Sequence, residues 1–176
     1  LSHFSIMVRG TSQVFAAGPP VVKRSLGRDI TKEELGGAAV AVDKAGTIHN
    51  AVDSEEEAFE QIRRFLSFMP QNVWELPPVM TCNDPVDRCE QALRDIELVV
   101  DKGSVFEIQP TNGKSVITSL ARLDGRPVGI IANNPKFYSG AMDAASAHKQ
   151  IRFMELCDTF HIPLVFLVDV PGFMVG

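Results

Sequence analysis

The spacing of apolar residues changes several times along the 176 residues, and each change marks an element. Residues 5–9 and 12–16 flank a Gly10-Thr11 turn and read as two short strands or one broken strand. Val21, Val22 and Leu26 follow Pro19-Pro20 and predict a short helix that Gly27 ends. Thr31 with Glu34 is a capping-box pattern for a second short helix, closed by Gly36-Gly37. That doublet fits a tight turn, or a backbone drawn close to a ligand, and spacing alone favours the turn. Residues 40–50 carry Gly46 in their middle and suggest short extended pieces on either side. Ser54 and Glu57 then open a long helix whose acidic first turn suits the positive end of the helix dipole. Its apolar face is Ala58, Phe59, Ile62, Phe65, Leu66 and Met69; Arg63 and Arg64 lie off it, toward solvent, and Pro70 stops it.

Residues 71–83 hold Pro77-Pro78 and no period, so they read as a linker, with Trp74 as a packing anchor. Asp84-Pro85 starts another helix, with a stripe of Val86, Cys89, Leu93, Ile96 and Val100 ending at Gly103. Three strands follow at 105–109, 116–123 and 128–132; Asp124-Gly125 between the last two is a strong hairpin signal. Residues 139–160 read as a helix with a stripe of Ala147, Ile151 and Met154, flanked by Phe153, Cys157 and Phe160. Beyond Pro163, residues 164–168 fit a strand buried on both faces. Strand, crossover helix and strand make a right-handed parallel unit. Ligands in such sheets sit at the carboxyl ends of strands. Those ends are Asn133-Asn134-Pro135 and Asp169-Val170-Pro171-Gly172-Phe173.

Charge and composition narrow the chemistry. The net charge of −5 gives no basic footprint for nucleic acid. The apolar runs are strand-length, which predicts no membrane-spanning helix. The chain has no initiator Met or leader, begins mid-pattern and ends on a glycine loop, as expected of a piece of a longer protein. Cys82, Cys89 and Cys157 lack metal or redox spacing and read as reduced cytosolic thiols. Ser5, Ser12, Ser139 and Ser146 lack a nucleophile elbow, and His3, His49, His148 and His161 are scattered. What remains is chemistry by oriented backbone amides.

Two long motifs give that idea a context. IANNP followed by SGAMDAASAHKQIRFMELCDTFHIPLVFLVDVPGFMVG, with MVRGTSQVFAAGPPVVKRSLG and EELGGA earlier, resembles the biotin-dependent acyl-CoA carboxyltransferases. The resemblance implies an α/β fold of crotonase-like ββα-spiral halves: residues 1–70 end the amino-terminal half, 71–83 link, and 84–176 begin the carboxyl-terminal half. It implies transfer of CO2 from carboxybiotin to the α carbon of a short acyl-CoA, through an enolate held by backbone-amide oxyanion holes. Biotin would arrive on a separate carrier, with a biotin carboxylase partner. A homo-oligomer is expected, in the cytoplasm, or in the mitochondrial matrix of a eukaryote.

By the resemblance, Gly172 and Phe173 are the first donor region of the carboxyl-terminal half. Asn133, Asn134, Ser139, Gly140 and Ala141 shape the biotin side, and Gly18 and Pro19 border the acyl-CoA side. The remaining donor turns are expected before Leu1 and after Gly176, so this chain alone is expected not to turn over. Two departures stand out: Val40-Ala41 replaces the family's Val-His pair, and Ile96 joins Glu97 where the family carries a basic segment containing Pro-Tyr-Asp. The alternatives are the carboxyltransferase subunit of a biotin-dependent decarboxylase of the glutaconyl-CoA type, and a non-catalytic structural fragment.

Overall fold

The structure is a computed structural model that describes residues 2–85, 88 and 95–174. It divides into two compact units, residues 1–62 with 109–112, and residues 63–108 with 113–176.

In the first unit, β1 (Ile6–Val8) pairs in parallel with β2 (Asn50–Val52). Residues 12–16 form no strand; after the left-handed Gly10 the chain turns, and Val14 N–H instead donates to the Gly36 carbonyl at 2.8 Å. Helix α1 (Pro19–Leu26) has Pro at its first turn and ends on left-handed Gly27, as its sequence predicts. Helix α2 (Lys32–Gly36) carries the full capping box: Thr31 Oγ1 accepts from Glu34 N–H, and Glu34 accepts from Thr31 N–H at 2.9 Å. The latter bond holds the Glu34 carboxyl below its ordinary range. The glycine doublet serves the chain itself: a Cβ on Gly36 would sit 2.0 Å from the Val14 carbonyl oxygen.

Where extended pieces were expected, residues Ala39–Lys44 form a wide π-helical turn. Apolar burial selects it, because the turn carries Ala41 and Val42 onto Met7 and Ala38. Two side chains, Gln109 and Asn112, cap its end, donating to the Gly46, Asp43 and Lys44 carbonyls. His49 is buried, stacked on Phe4, and its Nδ1 accepts from Ser5 N–H at 3.1 Å.

Helix α3 (Glu55–Ser67) begins with Ser54 Oγ accepting from Glu57 N–H. Ala58, Phe65, Phe68 and Met69 are buried, but Phe59 and Leu66 are exposed, so the apolar face is narrower than the sequence suggests. Arg64 is tied rather than solvated: its guanidinium donates to the Gly103 and Val105 carbonyls and lies over Phe106.

The second unit is built on a sheet in the order β3-β4-β5-β6. Strands β3 (Phe106–Ile108), β4 (Val116–Leu123) and β5 (Arg126–Asn133) are antiparallel; β6 (Leu164–Leu167) runs parallel to β5. Both hairpin residues, Asp124 (φ 51°) and Gly125 (φ 75°), are left-handed, the conformation that matches strand twist in a two-residue loop. Asp101 accepts both their N–H groups, at 3.0 and 2.8 Å.

On one face of the sheet, Val100 packs with Ala121, Val128, Ile130 and Ala132. On the other lies helix α4 (Ala144–Thr159). Gly129 leaves room for it, since a Cβ there would meet Cys157 Sγ at 2.6 Å. Burial pushes the Cys157 thiol up to about 12, which makes it inert.

Five expectations for this unit need correction. Helix α4 starts at Ala144, capped by Asp143, because Tyr138, Ser139 and Gly140 all have positive φ and break any earlier helix. Its buried face is Ser146, Lys149, Phe153, Leu156 and Cys157; Ile151 and Met154 are exposed. Trp74 is 89% exposed and anchors nothing among the described residues.

The fourth concerns the helix expected from residue 84. Residues 86, 87 and 89–94 of it lie outside the described residues, but it does not run on to 103. Asp95 is extended and Ile96–Leu98 is a single 3-10 turn. The chain straightens because Val100 must enter the core while Asp101 N–H bonds the Arg122 carbonyl. A continuous helix would lift both off the sheet. Strand β6, finally, is only half covered: Phe166 and the following Val168 are exposed, because nothing described packs over its outer edge.

Candidate functional site at the carboxyl ends of β5 and β6

A groove of about 620 Å³ opens where β5 and β6 end. Its walls include Ile117, Ala132 and Leu167, with Asp95, Lys136 and Asp169 also lining it. Asn133 and Asn134 both line it, as the strand-end argument predicts.

Asn133 organises the loops around it. Its side-chain Nδ2 donates to the Gly140 carbonyl at 3.2 Å, and its Oδ1 accepts from Asp169 N–H at 3.1 Å. One amide thus joins the end of β5, the 3-10 turn Tyr138–Gly140 and the segment after β6. Only glycine fits at 140: φ is 82° and a Cβ would stand 2.9 Å from the Asp169 carbonyl oxygen. Ser139 (φ 54°) is strained into the same turn, and Ala141 N–H closes it on the Tyr138 carbonyl. Asn134 has a different task. Its N–H extends the ladder to the Ser115 carbonyl, and its Oδ1 accepts from Lys136 N–H to shape the turn.

Gly172 and Phe173 are held by Met142. Met142 N–H donates to the Gly172 carbonyl at 3.1 Å, and its carbonyl accepts from Met174 N–H at 2.9 Å. This is a single parallel bridge centred on Phe173. In that pattern the flanking residues face the partner, so the N–H of Phe173 itself points away from Met142. Phe173 is 77% exposed and Gly172 has φ 152°, a conformation that side-chain-bearing residues rarely adopt. Gly18 and Pro19 lie in the other compact unit, at the amino end of α1, where Gly18 caps and Pro19 fills the first turn.

The contacts around these loops are made largely by backbone groups. Among the described residues, the side chains that could gather a metal ion are Cys82, Asp84 and Asp101, whose ligand atoms lie within 4.8 Å of one another. Their carboxylates are engaged in the fold: Asp101 holds the hairpin amides, and Asp84 accepts from Lys102 N–H and pairs with Arg88 at 3.2 Å. Sequence reasoning missed Met142, whose role is carried by its backbone and leaves no trace in residue type. It also missed Lys149, a charged residue that lies off the stripe predicted for this helix yet is buried.

The sequence pattern of the carboxyl transferase domain matches residues 1–176, and the chain belongs to that family. Its relatives make the membership concrete. It is 40% identical to the propionyl-CoA carboxylase, carboxyltransferase subunit, of Haloferax mediterranei, over 100% of this chain and 37% of the relative. It is 39% identical to the mitochondrial propionyl-CoA carboxylase beta chain of Homo sapiens, over 100% of this chain and 35% of the relative. The methylmalonyl-CoA decarboxylase subunit alpha of Veillonella parvula matches at 39%, again over 100% of this chain and 38% of the relative.

Among solved structures, the transcarboxylase 12S hexamer with methylmalonyl-coenzyme A bound superposes with a TM-score of 0.90 at 35% identity, over 99% of this chain and 37% of that one. The fold is therefore the crotonase-like α/β fold of these enzymes. The chain spans less than two-fifths of the length of each of these relatives. The alignment to the Haloferax relative runs over 191 positions, 15 more than this chain has residues.

Proposed function

We propose that the protein carrying this sequence is the carboxyltransferase component of a biotin-dependent acyl-CoA carboxylase. Family membership supports the class of reaction. The observation that supports the assignment of residues is the Met142 bridge, which leaves the Phe173 N–H facing away from Met142. The acyl α carbon must lose a proton and gain a carboxyl group, and negative charge gathers on oxygen as it does so. A fixed N–H donor aimed at that oxygen stabilises it without any titrating side chain; losing one such donor typically slows turnover by about 100- to 1000-fold. In this reading Gly172 and Phe173 supply one donor of such a pair. Asn133, Ser139, Gly140 and Ala141 hold the loop beside it, and Asn134 shapes the mouth of the groove.

Biotin, on a separate carrier protein or domain, supplies the carboxyl group. The groove suits it: the walls Ile117, Ala132 and Leu167 are apolar, and the polar Asn133 and Asn134 line it as well. Residues 1–70 and 84–176 are read as parts of the two halves, joined at 71–83, with Gly18 and Pro19 toward the acyl-CoA. A biotin carboxylase partner and a homo-oligomer complete the reading. The location is the cytoplasm, or the mitochondrial matrix of a eukaryote; no helix among the described residues is long and apolar enough to cross a membrane. The test is carboxyl transfer to short acyl-CoA thioesters by the whole protein with its charged carrier. Carboxylated product is expected, and no transfer to any short acyl-CoA refutes the reading.

A second reading reverses the direction, and the match to the Veillonella parvula decarboxylase subunit supports it as strongly as the carboxylase matches support the first. Net transfer of carboxyl from a carboxylated acyl-CoA to the uncharged carrier, with no net gain by the short acyl-CoA, selects it.

A further inference from the structure

Beneath the Asn133 loops lies a buried polar seam that the proposed chemistry does not use. Lys149 is 2% exposed, and its Nζ donates to the Val116 carbonyl at 2.7 Å. Ser146, nearly one turn earlier on α4, shares a 2.6 Å hydroxyl bond with Ser115, and both are fully buried. The Val116 carbonyl is available for a geometric reason. In the β4–β5 ladder the Ser115 carbonyl faces β5 and takes Asn134 N–H. The Val116 carbonyl therefore faces the other way, toward β3. Strand β3 stops at Ile108, opposite Thr118, so no strand reaches Val116. Lys149 supplies the missing donor.

An ammonium is a costly way to satisfy one carbonyl. Burial pulls the Lys149 pKa down to about 8, with the Glu107 carboxylate opposing that fall. The contact ties α4 to the open edge of β4 at a defined place. Val116 lies opposite Asn133 in the ladder. Ser146 N–H is accepted by Asp143, and Met142, next to Asp143, bridges to Phe173. Bonds thus run unbroken from β4, through the first turns of α4, to the Gly172–Phe173 segment.

We propose that Lys149, with the Ser115–Ser146 pair, pins α4 at a fixed height on the sheet and so positions the Gly172–Phe173 amides. Lys149 is a positioning residue. Its importance for turnover rests on the carboxyl-transfer reading; the pin itself does not. The test is amide hydrogen exchange on the full chain, comparing wild type with Lys149→Met and Ser146→Ala. Lys149→Met is expected to lower the melting temperature only modestly, because an apolar chain of similar length fills the space while the buried Val116 carbonyl loses its donor. Exchange at the Met142 and Met174 amides should nevertheless quicken about tenfold, as for loss of a bond to a charged group, while the centre of β4–β5 stays protected. Ser146→Ala should move the same two amides about threefold, and it decides the matter if Lys149→Met does not fold.

Unchanged exchange at both amides in the folded variants overturns the pin. So does a rise spread evenly over α4 and β4, which marks a merely structural residue. Carboxyl transfer separates the two claims. A loosened segment with full transfer keeps the pin and removes the segment from catalysis. Reduced transfer with unchanged exchange removes the pin and leaves the carboxyl-transfer reading standing.

Discussion

The β4–β5 hairpin and the segment after β6 are similarly apolar, yet one is enclosed and the other open. Leu120, Ala121 and Ile130 are at most 1% exposed, whereas Val168 and Phe173 are more than 70% exposed. The hairpin is specified locally. A two-residue turn sets its register, alternate side chains fill both faces, and Asp101 locks the turn. The segment after β6 is specified at a distance, by Asn133 and by the backbone of Met142. Burial gives the hairpin stability that no single polar contact decides. The segment depends on a few named bonds, and its bridge leaves the Phe173 N–H facing away from Met142.

The contrast is testable, beginning with the largest effect. Leu120→Ala should cost about 2–5 kcal/mol, because the site is sealed on both sides; Val168→Ala should change stability by less than about 0.5 kcal/mol. Urea denaturation of both variants checks the pair, and equal losses would break the comparison. Next, Gly129→Ala should cost about 1–3 kcal/mol, since the new methyl meets Cys157 Sγ and Leu164 on the packed side. A thermal melt that matches wild type would show that α4 can move off the sheet.

Smaller global effects are expected at the loops. Asn133→Ala removes both bonds that tie Gly140 and Asp169, and should lower overall stability by only about 1 kcal/mol. Exchange of the Asp169 amide should rise well beyond that of β4, which hydrogen exchange resolves. Last comes pH. The Lys149 ammonium has a folded pKa of about 8 against an ordinary 10.5, so the unfolded chain binds more protons between those values. Wild-type stability should therefore gain on Lys149→Met as pH rises from 8 toward 10.5. Denaturation midpoints at the two ends of that window check the sign.

Much of this was legible in the sequence, and the failures share a cause. The Asp124-Gly125 turn, the Thr31–Glu34 box, the Pro19 and Gly27 helix ends and the parallel β5–α4–β6 unit all rest on interactions within a few residues, which a sequence displays. Period counting failed where tertiary contacts choose the face. On α4 the sheet takes Lys149 and Ser146 inward because the open edge of β4 needs donors. The π-turn at Ala39–Lys44 comes from burying Ala41 and Val42 and from caps sixty or more residues away. Trp74 misled because an isolated large apolar residue in a linker says nothing of whether a partner surface lies within the same chain. At the candidate site, the strand-end rule pointed to Asn133 and Asn134, which line the groove, but the Met142 backbone bridge that holds the Gly172–Met174 segment has no residue signature.

The most direct measurement is the steady-state kinetics of Gly172→Ala in the whole protein. A Cβ at that position meets nothing within 4 Å, so the substitution acts through backbone conformation rather than through a clash. The kcat for carboxyl transfer should fall about 100-fold with KM for the acyl-CoA nearly unchanged, the mark of an interaction made only in the transition state. An unchanged kcat in a folded variant would contradict the claim that the amides after β6 stabilise the reacting oxygen.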